Sequence, residues 1–246
     1  MRLLFVDECG DSEKKDYLGL SIATVDGRFY PLLKRKTQAI LLKGKWDPAI
    51  EFKGAVLFSS SKGCADVSVD DRIAMAGALL DLNASNQNSR MRFSYGRLLS
   101  GNHGADYLTH LPGLMNRILP MAPKGAGKDL LAITCDQRSD VDPRELHKVL
   151  APVAEKKGYI IHEAVVCARS SFHTVGVMFA DIVGYLAARI DTIATDAQLF
   201  EGLTPEQLAK DGKYLKLASS RTLISKVKKL SLLTQSGGRN HRNSRR

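Results

Sequence analysis

Three aspartates stand where a carboxylate is out of keeping with its neighbours. Asp7 ends the apolar run Leu3-Leu4-Phe5-Val6, Asp136 ends a second run from Leu130 to Cys135, and Asp181 lies between Phe179-Ala180 and Ile182-Val183. An apolar run that stops on an acid reads as a buried strand delivering that acid to the carboxyl edge of a sheet, where open α/β folds place their chemistry. For Asp7 alone, an ordinary acidic turn is the competing reading. A lone ionised carboxylate is costly to bury, so Asp181 calls for a cation or a metal; otherwise it faces solvent or pairs with Arg169 or Arg189. Glu51, ahead of Phe52-Lys53, reads by pattern alone as a surface residue.

Acids in such a set suit phosphodiester hydrolysis. Two divalent ions about 3.5 to 4 Å apart, held by shared carboxylates, activate water and stabilise the leaving oxygen. Hard oxygen donors favour Mg²⁺ or Mn²⁺, and neither Cys-x-x-Cys nor histidine at zinc-ligand spacing occurs. His173, about two helical turns before Asp181, is a candidate proton shuttle, or a packing residue. Ser170 and Ser171 are natural caps for the helix that follows.

Other chemistries are excluded by their missing signatures. Pro123 to Asp129 resembles a phosphate loop, but Ala122 replaces the first glycine, Asp129 replaces the hydroxyl residue, and the segment precedes a strand where the motif must follow one. Neither Gly-x-Gly-x-x-Gly after a strand nor Gly-x-Ser-x-Gly is present. The four cysteines are scattered; Cys135 and Cys167 read as small core residues, and acids beside Cys9 oppose its thiolate.

The elements that must position these residues follow from periodicity. A strand to Asp7 is followed by a second from Tyr17 to Val25, expected to turn back at Asp26-Gly27. Helices are expected over Tyr30–Leu42, Ile73–Leu82 and Tyr107–Leu119, the last started or kinked by Pro112, with a short strand at Met91–Tyr95 between them. After the strand ending at Asp136 come a helix from Pro143 to Lys156, shortened or kinked at Pro152, a strand from Tyr159 to Val166, and an apolar helix from His173 to Ile190. The expected class is α/β, a mixed β-sheet flanked by helices.

Charge divides the chain. Residues 1–204 carry 25 basic against 24 acidic side chains, whereas residues 205–246 carry 11 against 2 and so supply +9 of the net +10. We therefore read 1–204 as one domain, 205–234 as a basic helical extension and 235–246 as a disordered basic tail. A helix over Arg221–Leu233 would turn Leu223, Ile224, Val227 and Leu230 inward. Arg221, Lys226, Lys228, Lys229, Arg239 and Arg242 are the candidate nucleic-acid contacts, because clustered Lys and Arg release counterions from phosphate backbones. Truncation after Thr204 should then weaken binding. No apolar segment is long enough to span a bilayer, and acids at position 7 interrupt any leader, so the expected location is cytoplasmic.

The order of these motifs resembles the domain-of-unknown-function 3800 family. Val6-Asp7-Glu8-Cys9-Gly10-Asp11 is similar to its "D-E-S-G" opening, with Cys9 in place of the serine. Glu51-Phe52-Lys53, Ile133-Thr134-Cys135-Asp136-Gln137 and Phe179-Ala180-Asp181-Ile182-Val183-Gly184 continue the match, with Met178 where a glutamine is usual. The resemblance implies a ribonuclease H-like fold. It also implies metal and catalytic roles for Asp7, Glu51, Asp136 and Asp181, with Glu8 auxiliary. The expected activity is a Mg²⁺- or Mn²⁺-dependent nuclease acting on RNA or DNA, with a mobile-element or defence setting and a protein partner in view. A catalytically silent binder of nucleic acid or protein on the same fold is the alternative.

Overall fold

Alternation along β1 (Arg2–Gly10) splits its side chains between two cores. Leu4 and Val6 enter one cluster and Phe5 enters the other, so Asp7 shares the face of Phe5. The computed structural model describes residues 1–10, 18–59, 64, 66–84, 91–98, 103–123, 125, 127–136, 141–189, 202–210, 218, 221–227 and 231–232. Asp11, Lys228, Lys229, Arg239, Arg242 and the expected tail over 235–246 lie outside the described residues.

β1 is central in a mixed sheet. It pairs antiparallel with β2 (Leu18–Asp26), which pairs antiparallel with β3 (Arg92–Leu98). On its other side β1 runs parallel to β4 (Asp129–Cys135), and β4 in turn is parallel to β5 (Tyr159–Ile161) and to β6 (Val166–Cys167). With β7 (Ser231–Leu232), the order is β5-β4-β1-β2-β3-β7, with β6 on β4 off this path. Helices α1 (Tyr30–Lys43), α2 (Val69–Ala84) and α5 (Val175–Ala188) pack on the Phe5 face. Helices α3 (His103–Ile118) and α4 (Pro143–Lys156) cover the opposite face. A short helix, α6 (Pro205–Lys210), follows. The α/β class, a mixed sheet flanked by helices, is as expected.

Five local expectations are corrected. Asp26-Gly27 leads into α1, not into a hairpin: the Asp26 carboxylate accepts from the Arg28 N–H at 2.9 Å, and the Phe29 N–H donates to the Asp26 carbonyl at 3.0 Å, which turns the chain toward a helix. Pro112 does not start α3 and Pro152 does not shorten α4: each lies inside a helix that runs on past it. Burial of Leu111, Leu114 and Met115 in α3, and of Leu150 and Ala154 in α4, outweighs the cost of about 3 kcal/mol for an interior proline. The strand expected over Tyr159–Val166 is two strands, divided at Glu163, whose φ of 57° no strand residue adopts. Finally, 221–227 is helical, but Ser231–Leu232 pairs in parallel with β3, so the helix does not reach Leu233.

Within the basic segment, residues 221–227 and 231–232 touch the body of the fold. Leu223, Ile224 and Val227 are buried in the Phe5-face core, as their spacing implied. Arg221 is exposed, and Lys226 is ion-paired with Asp81 of α2. Among the described residues no helix is long and apolar enough to cross a membrane.

Candidate metal centre

β4 ends beside the middle of β1, which runs on past Asp7 to Gly10 against β2 and so does not stop on its acid as expected. Val6 is the register partner of Cys135, and the Asp136 N–H donates to the Val6 carbonyl at 2.8 Å, extending the ladder by one residue. Asp7, inside β1, and Asp136, just past the end of β4, therefore project from the same face, the one that α5 covers. Asp136 is steadied by the Ser170 N–H, which reaches its Oδ1 at 3.1 Å.

α5 brings the third acid. Its glycines permit close approach to the sheet: a Cβ on Gly176 would lie 2.3 Å from the Phe5 ring, and one on Gly184 would lie 2.9 Å from Ser21 Cβ. This draws Asp181 down onto β1, where it shares a hydrogen bond with Asp7. The Gly54 N–H also donates to Asp181 Oδ2. Arg189, a partner considered from the sequence, lies over the rings of Phe58 and Tyr185, with its cation 5.4 and 5.5 Å from their centroids.

The fourth acid comes from the loop after α1. Trp46, itself buried, donates from Nε1 to the Ile50 carbonyl at 2.8 Å and packs edge-on against Phe52, with ring centroids 4.8 Å apart. Phe52 is thereby anchored in the core, and in the extended segment that follows, Glu51 and Lys53 fall on the opposite side. Glu51 accepts an ion pair from Lys53 Nζ at 2.7 Å.

Electrostatics shows that the four acids share one field. Asp7 is only 4% exposed; burial pushes its carboxyl well above the usual range, and Asp181, Asp136 and Glu51 add to the effect. Asp181 is pushed up to about 6, first by burial, with the Gly54 N–H, Asp7 and Lys53 opposing. Burial, then Asp7 and Asp181, hold the Cys9 thiol protonated, so Cys9 is no nucleophile. Among the described residues no three His, Cys, Asp or Glu side chains close into a ready ligand cluster, because Asp181 is turned to Gly54 and Asp7, and Glu51 to Lys53. The donor chemistry nevertheless fits a hard divalent cation: the Asp7 carboxyl, raised by burial and by the acids around it, is relieved by positive charge bound among them.

No family model matches the chain, and no curated protein matches it significantly. Among solved structures, it superposes on a chain of the PCNA:RNase HII complex from Archaeoglobus fulgidus with a TM-score of 0.44 at 10% identity, covering 99% of this chain and 98% of that one. Ribonuclease H2 from Pyrococcus horikoshii gives 0.42 at 13% identity, covering 93% of this chain and 99% of that one. Superpositions this loose assign no chemistry, which rests on the carboxylates themselves.

Two expected auxiliaries are placed elsewhere. Glu8 pairs in register with Leu20 and shares the face of Val6, across the sheet from Asp7. His173 is exposed in the bend ahead of α5, edge-on to Phe172. Ser171, not Ser170, caps the turn: its hydroxyl accepts from the N–H groups of His173 and Thr174, both at 3.2 Å.

Three supports give no sign in the sequence: the Gly54 and Ser170 N–H groups, and Arg72. Arg72 is 4% exposed and donates to the carbonyls of Val56 at 3.0 Å, Ser59 at 2.6 Å and Val67 at 2.8 Å, tying down the loop that follows Gly54. We expect Arg72→Met to cost ~3 kcal/mol in urea denaturation, since each buried carbonyl left without a donor costs about 1 to 3 kcal/mol. A loss below ~1 kcal/mol would show that the loop closes without it.

Proposed function

We propose that this chain is a divalent-metal-dependent nuclease of ribonuclease H-like fold, related to the domain-of-unknown-function 3800 family, that hydrolyses phosphodiester bonds in RNA or DNA. The observation that carries the reading is the meeting of Asp7, Asp136 and Asp181, from the middle of one strand, the end of its parallel neighbour and a helix far apart in sequence, with Glu51 close enough to act on Asp7. Burying like charges together is unfavourable for a scaffold, and a function that needs the charge accounts for it.

Asp7, Asp136, Asp181 and Glu51 would hold Mg²⁺ or Mn²⁺, which when bound supplies an activated water and a counter-charge for the leaving oxygen. The sheet fixes the backbone of Asp7 within β1 and that of Asp136 through its link to the Val6 carbonyl, so both acids are positioned before substrate arrives. The Gly54 N–H orients Asp181, and Phe52 and Trp46 hold Glu51 at the rim. Cleavage of labelled RNA and DNA oligonucleotides with and without Mg²⁺ or Mn²⁺ tests the proposal; no metal-dependent product from any of them would overturn it.

The Glu51–Lys53 pair and the unclosed ligand cluster favour one second reading, a binder that no longer turns substrate over. Salt-sensitive nucleic-acid affinity without products would identify it.

The basic segment would supply part of the nucleic-acid surface. Truncation after Thr204 is a poor test of this, because it also strips Leu223, Ile224 and Val227 from the core. Arg221 is exposed, and Arg221→Gln should weaken binding evenly across sequences and lower the salt slope by about 1, read by fluorescence anisotropy over a salt series. An unchanged slope would remove Arg221 from the interface.

A further inference from the structure

Each residue of Glu51-Phe52-Lys53-Gly54 has a visible task except Lys53. Phe52 anchors the segment in the core, Glu51 offers a carboxylate, and the Gly54 N–H binds Asp181. A Cβ on Gly54 would lie 2.2 Å from Tyr185 Cβ, so the backbone here sits hard against α5 and cannot drift. Lys53 is consequently held at the rim of the carboxylate site, with Nζ 2.7 Å from Glu51 Oε2 and a side chain 41% exposed. Its charge acts on Glu51 and also on Asp181 and Asp136.

We propose that Lys53 is a catalytic residue whose ammonium leaves Glu51 and contacts a non-bridging oxygen of the scissile phosphate when substrate binds. This rests on the nuclease reading above. Charge counting motivates it: four carboxylates and two divalent cations cancel, so the extra negative charge that builds on a phosphoryl group during attack has no counter-charge from the ligand set. Lys53 supplies one positive charge at the open side of the site. An ammonium has three donors on a flexible stem, so the exchange of a carboxylate for a phosphate oxygen needs only side-chain rotation. No covalent step is involved, and the proton stays on Nζ throughout.

Lys53→Met and Lys53→Arg test this, each measured by Mn²⁺ calorimetry on the full chain and by steady-state cleavage of an oligonucleotide. Lys53→Met should bind Mn²⁺ as tightly as wild type or tighter, because a competing cation is gone, while kcat falls about 100-fold, the scale for losing one transition-state donor. Lys53→Arg should restore kcat to within about tenfold of wild type, since it keeps the charge but not the point geometry. A kcat for Lys53→Met within threefold of wild type overturns the proposal. Loss of Mn²⁺ binding in Lys53→Met also overturns it, because Lys53 would then serve only to place Glu51. Failure of the underlying reading looks different: the wild-type chain itself would show no Mn²⁺ isotherm, or the same isotherm after Asp7→Asn. Wild type that binds Mn²⁺ and cleaves nothing sinks both.

Discussion

Asp7→Asn and Asp136→Asn should each reduce metal-dependent cleavage by about 10³-fold or more, the upper scale for removing one preorganised electrostatic group, while the chain stays folded. Both substitutions are nearly isosteric, so the expected loss is of charge and not of packing. In Asp136→Asn the amide would keep an Oδ1 to accept from the Ser170 N–H, and the backbone link from residue 136 to the Val6 carbonyl involves no side chain. In Asp7→Asn the amide would keep a polar head toward Asp181. His173→Ala is the matched control, since His173 is exposed and outside the carboxylate field, and it should stay within a few-fold of wild type. Gel assays on RNA and DNA substrates, with far-UV circular dichroism on each variant, decide the matter. Cleavage within tenfold of wild type in both variants would remove Asp7 and Asp136 from the chemistry.

Those two aspartates were legible because their signal is local. An apolar run that stops on an acid reads as a strand ending at the edge of a sheet; β4 does so, whereas β1 continues past Asp7 to Gly10, and there only the strand period, which puts Asp7 on the face of Phe5, was read correctly. Asp181 was legible for a related reason, being a charge inside an apolar helix, although its partners were not. The acid meets Asp7 and the Gly54 N–H, which sequence spacing cannot reveal because the meeting depends on how closely α5 lies on the sheet. Glu8 entered through the family resemblance as an auxiliary acid, and strand alternation sends it to the face opposite Asp7. Arg72 gives no local sign at all, since an arginine after two acids in the first turn of α2 reads as a solvated helix residue. Only the loop carbonyls folding back over it make it structural. At the end of the chain the helical spacing was legible, since Leu223, Ile224 and Val227 turn inward, but spacing could not show that the core they enter is the one on the Phe5 face.

Without divalent metal, the site should make the protein less stable as pH rises. Asp7 and Asp181 have folded-state pKa values above their unfolded value of roughly 3.9, Asp181 reaching about 6. Between these limits the folded chain holds more protons than the unfolded one, so stability falls as pH climbs through the folded values and the full penalty is present above them. Asp26, lowered to about 2 by Arg28, titrates well below this window and does not mask it. Asp7→Asn removes one buried charge and keeps a donor for Asp181. In EDTA at pH 8 it should therefore be more stable than wild type by on the order of 1 to 3 kcal/mol, since raising a carboxyl pKa by one costs the ionised form about 1.4 kcal/mol. At pH 5 the difference should shrink as the wild-type pair takes up its protons. Millimolar Mn²⁺ should reverse the ranking at pH 8, because a ligand that binds the folded state stabilises it by RT ln(1 + [L]/Kd), and the variant has lost a ligand. Urea denaturation at the two pH values, with EDTA and with Mn²⁺, measures all four corners. A variant less stable than wild type in EDTA at pH 8 would mean that Asp7 serves the fold, and the case for a charge kept for function would go with it.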